Sequence, residues 1–88
     1  MQTVIVRHKV GNFDTWLKGH QDRVDVFKPA VTSFKTFRDQ GDPNAIVMVL
    51  EVSDMDKLMS LMSDPKLQKF KDKHTVIDPI EVSLQVKV

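Results

Sequence analysis

The chain predicts an α+β fold: one antiparallel sheet with two helices on one face, in the order β-α-β-β-α-β. Three observations carry this reading. Residues 3–10 and the C-terminal stretch alternate apolar and polar side chains with a period of two. Residues 13–27 repeat apolar side chains at the helical period. Residues 45–52 are apolar on both faces, which places them inside a sheet.

Along the chain, Val4, Val6, His8 and Val10 share one face of the first strand, with Thr3, Ile5, Arg7 and Lys9 on the other. Gly11-Asn12 ends it. Asn12 is suited to cap the next segment, and Asp14 stands well against the helix dipole. Phe13, Trp16, Leu17, His20, Val24 and Phe27 then fall on one helical arc, with Asp14, Lys18, Asp22 and Asp25 opposite. This helix should stop near Lys28, because Pro29 disfavours helical geometry in the residue before it.

Val31 to Arg38, rich in β-branched and aromatic residues, is the second strand; a turn over 39–44 leads to the third, Ala45 to Val52. Ser53 or Asp54 can cap a short helix that turns Met55, Leu58, Met59, Leu61 and Met62 inward. Asp64-Pro65 restarts it, with Leu67, Phe70 and His74 on one side and Lys66, Lys69 and Lys73 on the other. Ile80, Val82, Leu84, Val86 and Val88 alternate with polar residues in a last strand. The simplest solution to this order is the ferredoxin-like split βαβ arrangement in a single domain over 1–88.

Composition excludes several function classes. Thirteen basic and twelve acidic side chains leave a formal charge of +1, too little to gather nucleic acid or anionic lipid. The Lys66, Lys69, Lys71 and Lys73 cluster is balanced by Asp64 and Asp72 and reads as a solvated helix face. Without cysteine there is no disulfide, thiolate nucleophile or iron–sulfur cluster. No apolar run approaches the ~20 residues that span a bilayer, and the N-terminus lacks the pattern of a signal peptide; a small cytoplasmic protein is the expectation. Two helices cover only one side of the sheet, yet the third strand is apolar on both. The open face should therefore pair with a second copy, giving a homodimer through the sheets.

Val6-Arg7-His8-Lys9-Val10-Gly11-Asn12-Phe13-Asp14-Thr15-Trp16, with His20 one helical turn later, resembles a group of small bacterial dimeric α/β-barrel proteins. Asp42-Pro43-Asn44, Asp54 with Asp56-Lys57, Ser63-Asp64-Pro65 and the step from Val76 to Pro79 match the same group. The superfamily includes antibiotic biosynthesis monooxygenase-like enzymes, polyketide cyclases, chlorite-dismutase and haem-degrading relatives, and many uncharacterised members. The resemblance implies dimerisation through the sheets and a ligand cavity between each sheet and its helices. Two departures border the expected cavity entrance. Lys28-Pro29-Ala30 stands where similar proteins tend to have a glycine, and Lys73-His74-Thr75-Val76 where they tend to have an Ala-Gly-Val step.

All three histidines fall on apolar faces, and imidazole is the side chain that exchanges a proton near neutral pH without large tuning. The functional expectation makes His20 and His8 the proton-transfer groups, with Trp16, His74 and Phe13 touching a small apolar or aromatic ligand. Removing a phenolic or α-carbonyl proton leaves an anion. That anion could react with dioxygen, as in cofactor-independent monooxygenases, or close a ring, as in cyclases; no cofactor is expected. The competing expectation is a non-catalytic ligand-binding or accessory dimer. In it His8 and His20 are satisfied core groups, His74 caps a helix C-terminus, Trp16 is core packing, and Met55, Met59 and Met62 are core filler. Three histidines could hold a metal, and His74 or His20 a haem, but no local ligand motif supports a metal site.

Overall fold

A computed structural model describes residues 1–86. The elements are β1 (Gln2–Val10), α1 (Phe13–Lys18), α2 (His20–Phe27), β2 (Val31–Arg38), β3 (Ala45–Val52), α3 (Met55–Ser63), α4 (Lys66–Lys73) and β4 (Val76–Leu84). The four strands form one antiparallel sheet in the order β2-β3-β1-β4, the ferredoxin-like α+β arrangement. None of the helices is long and apolar enough to cross a membrane.

The first strand follows the period-two reading closely, and the third, apolar on both faces, lies inside the sheet as expected, with its outer face half-buried. Val4, Val6, His8 and Val10 of β1 are buried under the helices, and so are Ile46, Met48, Leu50 and Val52 of β3. Register pairs Val4 with Leu50, Val6 with Met48 and His8 with Ile46, so the two apolar rows interlock into one wall of the core. Trp16 and Leu58 close that wall from the helix layer, both essentially without solvent exposure. The caps are local chemistry: Asn12 Oδ1 accepts from the Thr15 amide and Asp54 Oδ1 from the Lys57 amide, both at 2.9 Å. Asp64 Oδ1 does the same for the Lys66 amide after the break between α3 and α4.

The first helix differs from the expectation. It breaks into α1 and α2 at Gly19, whose amide bonds back to the Trp16 carbonyl at 3.0 Å as the cap of α1. Its inward stripe is turned toward Gly19 and Arg23. Both of those are buried, while Leu17 and His20 are exposed. The cause is a close approach. The His74 ring lies against the Cα of Gly19, so closely that a Cβ there would overlap Nε2, Cδ2 and Cε1 of the ring.

β4 also begins earlier than expected, at Val76, and ends at Leu84. Gln85 and Val86 lie outside the strand, and the expected positions Lys87 and Val88 lie outside the described residues. The pairing of β4 with β1 shifts between Arg7 and Lys9, leaving a bulge at Asp78-Pro79. An edge strand with a bulge is where a proline is tolerated, since no ladder hydrogen bond is lost. The early start was hidden because that bulge interrupts the alternation.

The sheet face away from the helices carries Ile5 and Phe37, 43% and 52% exposed, around half-buried Val47 and Val49. Pairing of Ile5 with Val49 and of Phe37 with Val47 makes them one contiguous apolar patch.

Candidate functional site

Between the sheet and the helices lies an apolar cavity of about 80 Å³. Val6, Met48 and Leu50 form its floor, Trp16, Phe27 and Leu58 its roof, and Phe34, Phe70 and Ile80 parts of its side walls. Its polar groups are few: His8 from β1, Arg23 from α2, and Lys71 and His74 from α4 and its cap.

His8 is held by the β1 ladder with its ring toward the helices, 6% exposed and edge-on to Trp16 at 5.8 Å between centroids. Its Nδ1 lies 3.2 Å from the Lys9 carbonyl, which can only accept, so Nδ1 carries the proton and Nε2 is left with the lone pair. Burial lowers the imidazole pKa, partly countered by that bond to Lys9 and reinforced by the charge of Arg23. His8 is therefore uncharged at neutral pH and able to accept a proton. It is also shared with a wider polar cleft of about 390 Å³, lined by Arg7, Lys9, Asp78 and Glu81 among others.

Arg23 is the polar residue that sequence reasoning missed. It is 7% exposed, and its guanidinium stacks on the Trp16 ring at 3.9 Å. Nη1 donates to the Trp16 carbonyl at 2.6 Å, at the C-terminal end of α1, and approaches His74 Nδ1 at 3.4 Å. Burial pushes its pKa down to about 10, which still leaves it charged at neutral pH. The signal that could have found it was the spacing Trp16, Gly19, Arg23, Phe27. This is as regular a stripe as the one through His20, but it places a charge inward.

His74 is the cap of α4, as the structural reading of the sequence expected, and it also lines the cavity. With Arg23 donating to Nδ1, its proton sits on Nε2, which lies 3.7 Å from Asp22 Oδ2. Burial first, and then Arg23, lower its pKa. Thr75, next in the chain, has φ 59° in the left-handed region that a β-branched residue rarely enters. Its hydroxyl holds the conformation, accepting from the Asn12 amide at 3.0 Å and donating to the Asn12 carbonyl at 3.2 Å.

The structure thus brings His8, Trp16 and His74 together at the cavity and leaves two expected residues out. His20 is exposed on α2 and does not line the cavity, because the helix stripe turned toward Gly19. Phe13 is half-buried between Trp16, at 6.1 Å, and the Arg38 guanidinium, at 3.8 Å, also outside the cavity lining. Among the described residues no three His, Cys, Asp or Glu side chains are grouped to hold a metal ion.

Two outcomes follow from this packing. Both buried histidines have folded-state pKa values below the ordinary 6.5. As pH falls below 6.5 the unfolded chain therefore binds more protons than the folded one, and stability drops with acid. Chemical denaturation at pH 7.5 and 5.5 should show the loss, and it should shrink in His8→Gln. Gly19→Ala should cost about 1–3 kcal/mol by displacing the His74 ring, the usual range for overpacking. The midpoint of urea unfolding checks this.

No protein-family model and no curated protein sequence matches the chain. Solved structures do match along its whole length. An antibiotic biosynthesis monooxygenase superposes with TM-score 0.70 at 20% identity, covering 100% of this chain and 99% of that one. The fold is that of antibiotic biosynthesis monooxygenase-like proteins. A protein named for the same activity from Bordetella bronchiseptica covers 99% of this chain and 96% of its own, with TM-score 0.75 at 16% identity. SnoaB, a cofactor-independent oxygenase from Streptomyces nogalater, aligns with 99% of this chain and 92% of its own, with TM-score 0.71 at 14% identity. At these identities the likeness to monooxygenase-like structures is one of fold, and the site must be judged on its own residues.

Proposed function

We propose that the protein is a cofactor-independent oxygenase or cyclase that acts on a small apolar or aromatic ligand in the cavity between sheet and helices. The observation that carries this reading is His8, an uncharged imidazole with a free Nε2 lone pair in the wall of an apolar chamber. In the proposed step His8 removes a phenolic or α-carbonyl proton from the ligand. Trp16 packs against the ligand. His74 serves as a positioning residue, since its Nδ1 lone pair is engaged by Arg23. The activities named for SnoaB and the other structural neighbours support oxygenase chemistry as the first class to test.

The experiment is a panel of small phenols and β-dicarbonyl compounds followed by oxygen uptake and by product mass. Oxygen consumption with an added oxygen atom is the expected outcome for an oxygenase, and loss of water without oxygen uptake for a cyclase. Ligand binding without turnover of any compound would contradict the enzyme and favour an accessory binding protein.

The same reading includes a homodimer through the open sheet face, supported by the apolar patch around Ile5, Phe37, Val47 and Val49. Val49→Asp should convert the dimer to a folded monomer, as seen by light scattering and circular dichroism. A wild-type monomer at micromolar concentration would contradict the dimer.

A further inference from the structure

The cavity is apolar, yet it holds a buried cation with no ion-pair contact, on which the Asp22 charge acts only from a distance. Arg23 makes no ion pair among the described residues. Asp22, its neighbour in sequence, is half-exposed and lies instead toward His74 and Lys73. Within the guanidinium only Nη1 has partners; Nε and Nη2 are buried without any, and so is the indole Nε1 of Trp16, on whose ring Arg23 lies. Burying polar groups without partners costs free energy, and burying a charge without one costs more. Three unpaired donor atoms on two side chains that line an apolar chamber are understandable if a ligand atom completes them.

We propose that the site selects an anionic ligand: a compact apolar body seated in the cavity, with one oxyanion, such as a carboxylate or a phenolate, paired with Arg23 Nε and Nη2 and with Trp16 Nε1. This rests on the reading of the cavity as a ligand site and narrows its substrate class. Nη1 is already committed to the Trp16 carbonyl, which fixes the plane of the guanidinium and leaves its other donors for the ligand. The apolar walls supply the low polarity in which such a charged contact is strongest. A cavity of about 80 Å³ admits only a small body, well below the ~300–1,000 Å³ of sites for drug-sized ligands. For a proton-removing enzyme the same donors would also hold the oxygen that becomes negative when the proton leaves.

The chain has one tryptophan, and it lines the cavity, so its fluorescence reports occupancy. Hexanoate and hexan-1-ol share an apolar body and differ in charge. Titrated into the full chain at pH 7.5, with calorimetry in parallel, hexanoate is expected to bind at least about tenfold tighter than the alcohol, a modest demand on a charge-assisted contact. Arg23→Met should abolish that preference while the alcohol still binds, and Arg23→Lys should keep part of it. Equal binding of acid and alcohol, or a preference that survives in Arg23→Met, overturns the anion site while leaving the apolar pocket standing. Binding of neither compound overturns both.

Discussion

Replacing His8 by glutamine is expected to lower turnover by about 10²–10⁴-fold once a substrate is in hand, the usual contribution of a general base. Glutamine retains an amide that can donate to the Lys9 carbonyl, as Nδ1 does now, and it fills most of the same space. What it lacks is the Nε2 lone pair. Binding of a ligand analogue should therefore change little while kcat falls. The contrast is His20→Gln, which should leave turnover unchanged because His20 is exposed and outside the cavity lining. Equal turnover of wild type and His8→Gln would remove the base from the mechanism.

Trp16→Ala should cost about 3–5 kcal/mol of stability, the upper range for a buried aromatic residue. Trp16 has no solvent exposure and touches three functions at once. It roofs the cavity, stands edge-on to His8, and carries the Arg23 guanidinium on its face. Its loss opens a hole and strips Arg23 of its stacking surface. In a domain of this size each kcal/mol moves the melting midpoint by roughly 4–8 °C, so the shift is large on any thermal scan. Trp16→Phe keeps a ring under Arg23 and should lose much less. A Trp16→Ala loss below about 1 kcal/mol would show that the cavity roof rests on other residues.

The sheet was legible because its two central strands are buried on the helix side at every second residue; the sequence shows that alternation from Val4 to Val10, and in the third strand an unbroken apolar run from Ile46 to Leu50 marks a place inside the sheet. The helix caps at Asn12 and Asp54 were legible for a similar reason: both bonds are local. The rotation of the first helical segment was not. It depends on the His74 ring meeting Gly19, a contact between residues 55 positions apart that leaves no local periodic trace. That one contact exchanges His20 for Arg23 at the cavity wall. Apolar periodicity alone favoured the wrong member of the pair, because a histidine fits an apolar stripe more easily than an arginine does. The start of β4 was obscured by the bulge at Asp78-Pro79, which breaks the alternation where the strand begins. Thr75 takes the left-handed cap position that glycine usually fills, and only its pair of bonds to Asn12 explains how.

Central to this account is that His8 is an uncharged base with its proton on Nδ1. Long-range proton–nitrogen correlation spectra of the imidazoles, recorded from pH 5 to 8 with His8→Gln to assign the signal, test this directly. The expected result is a neutral His8 at pH 7 with Nδ1 protonated, titrating below 6.5. A charged ring at pH 7, or a proton on Nε2, would contradict it.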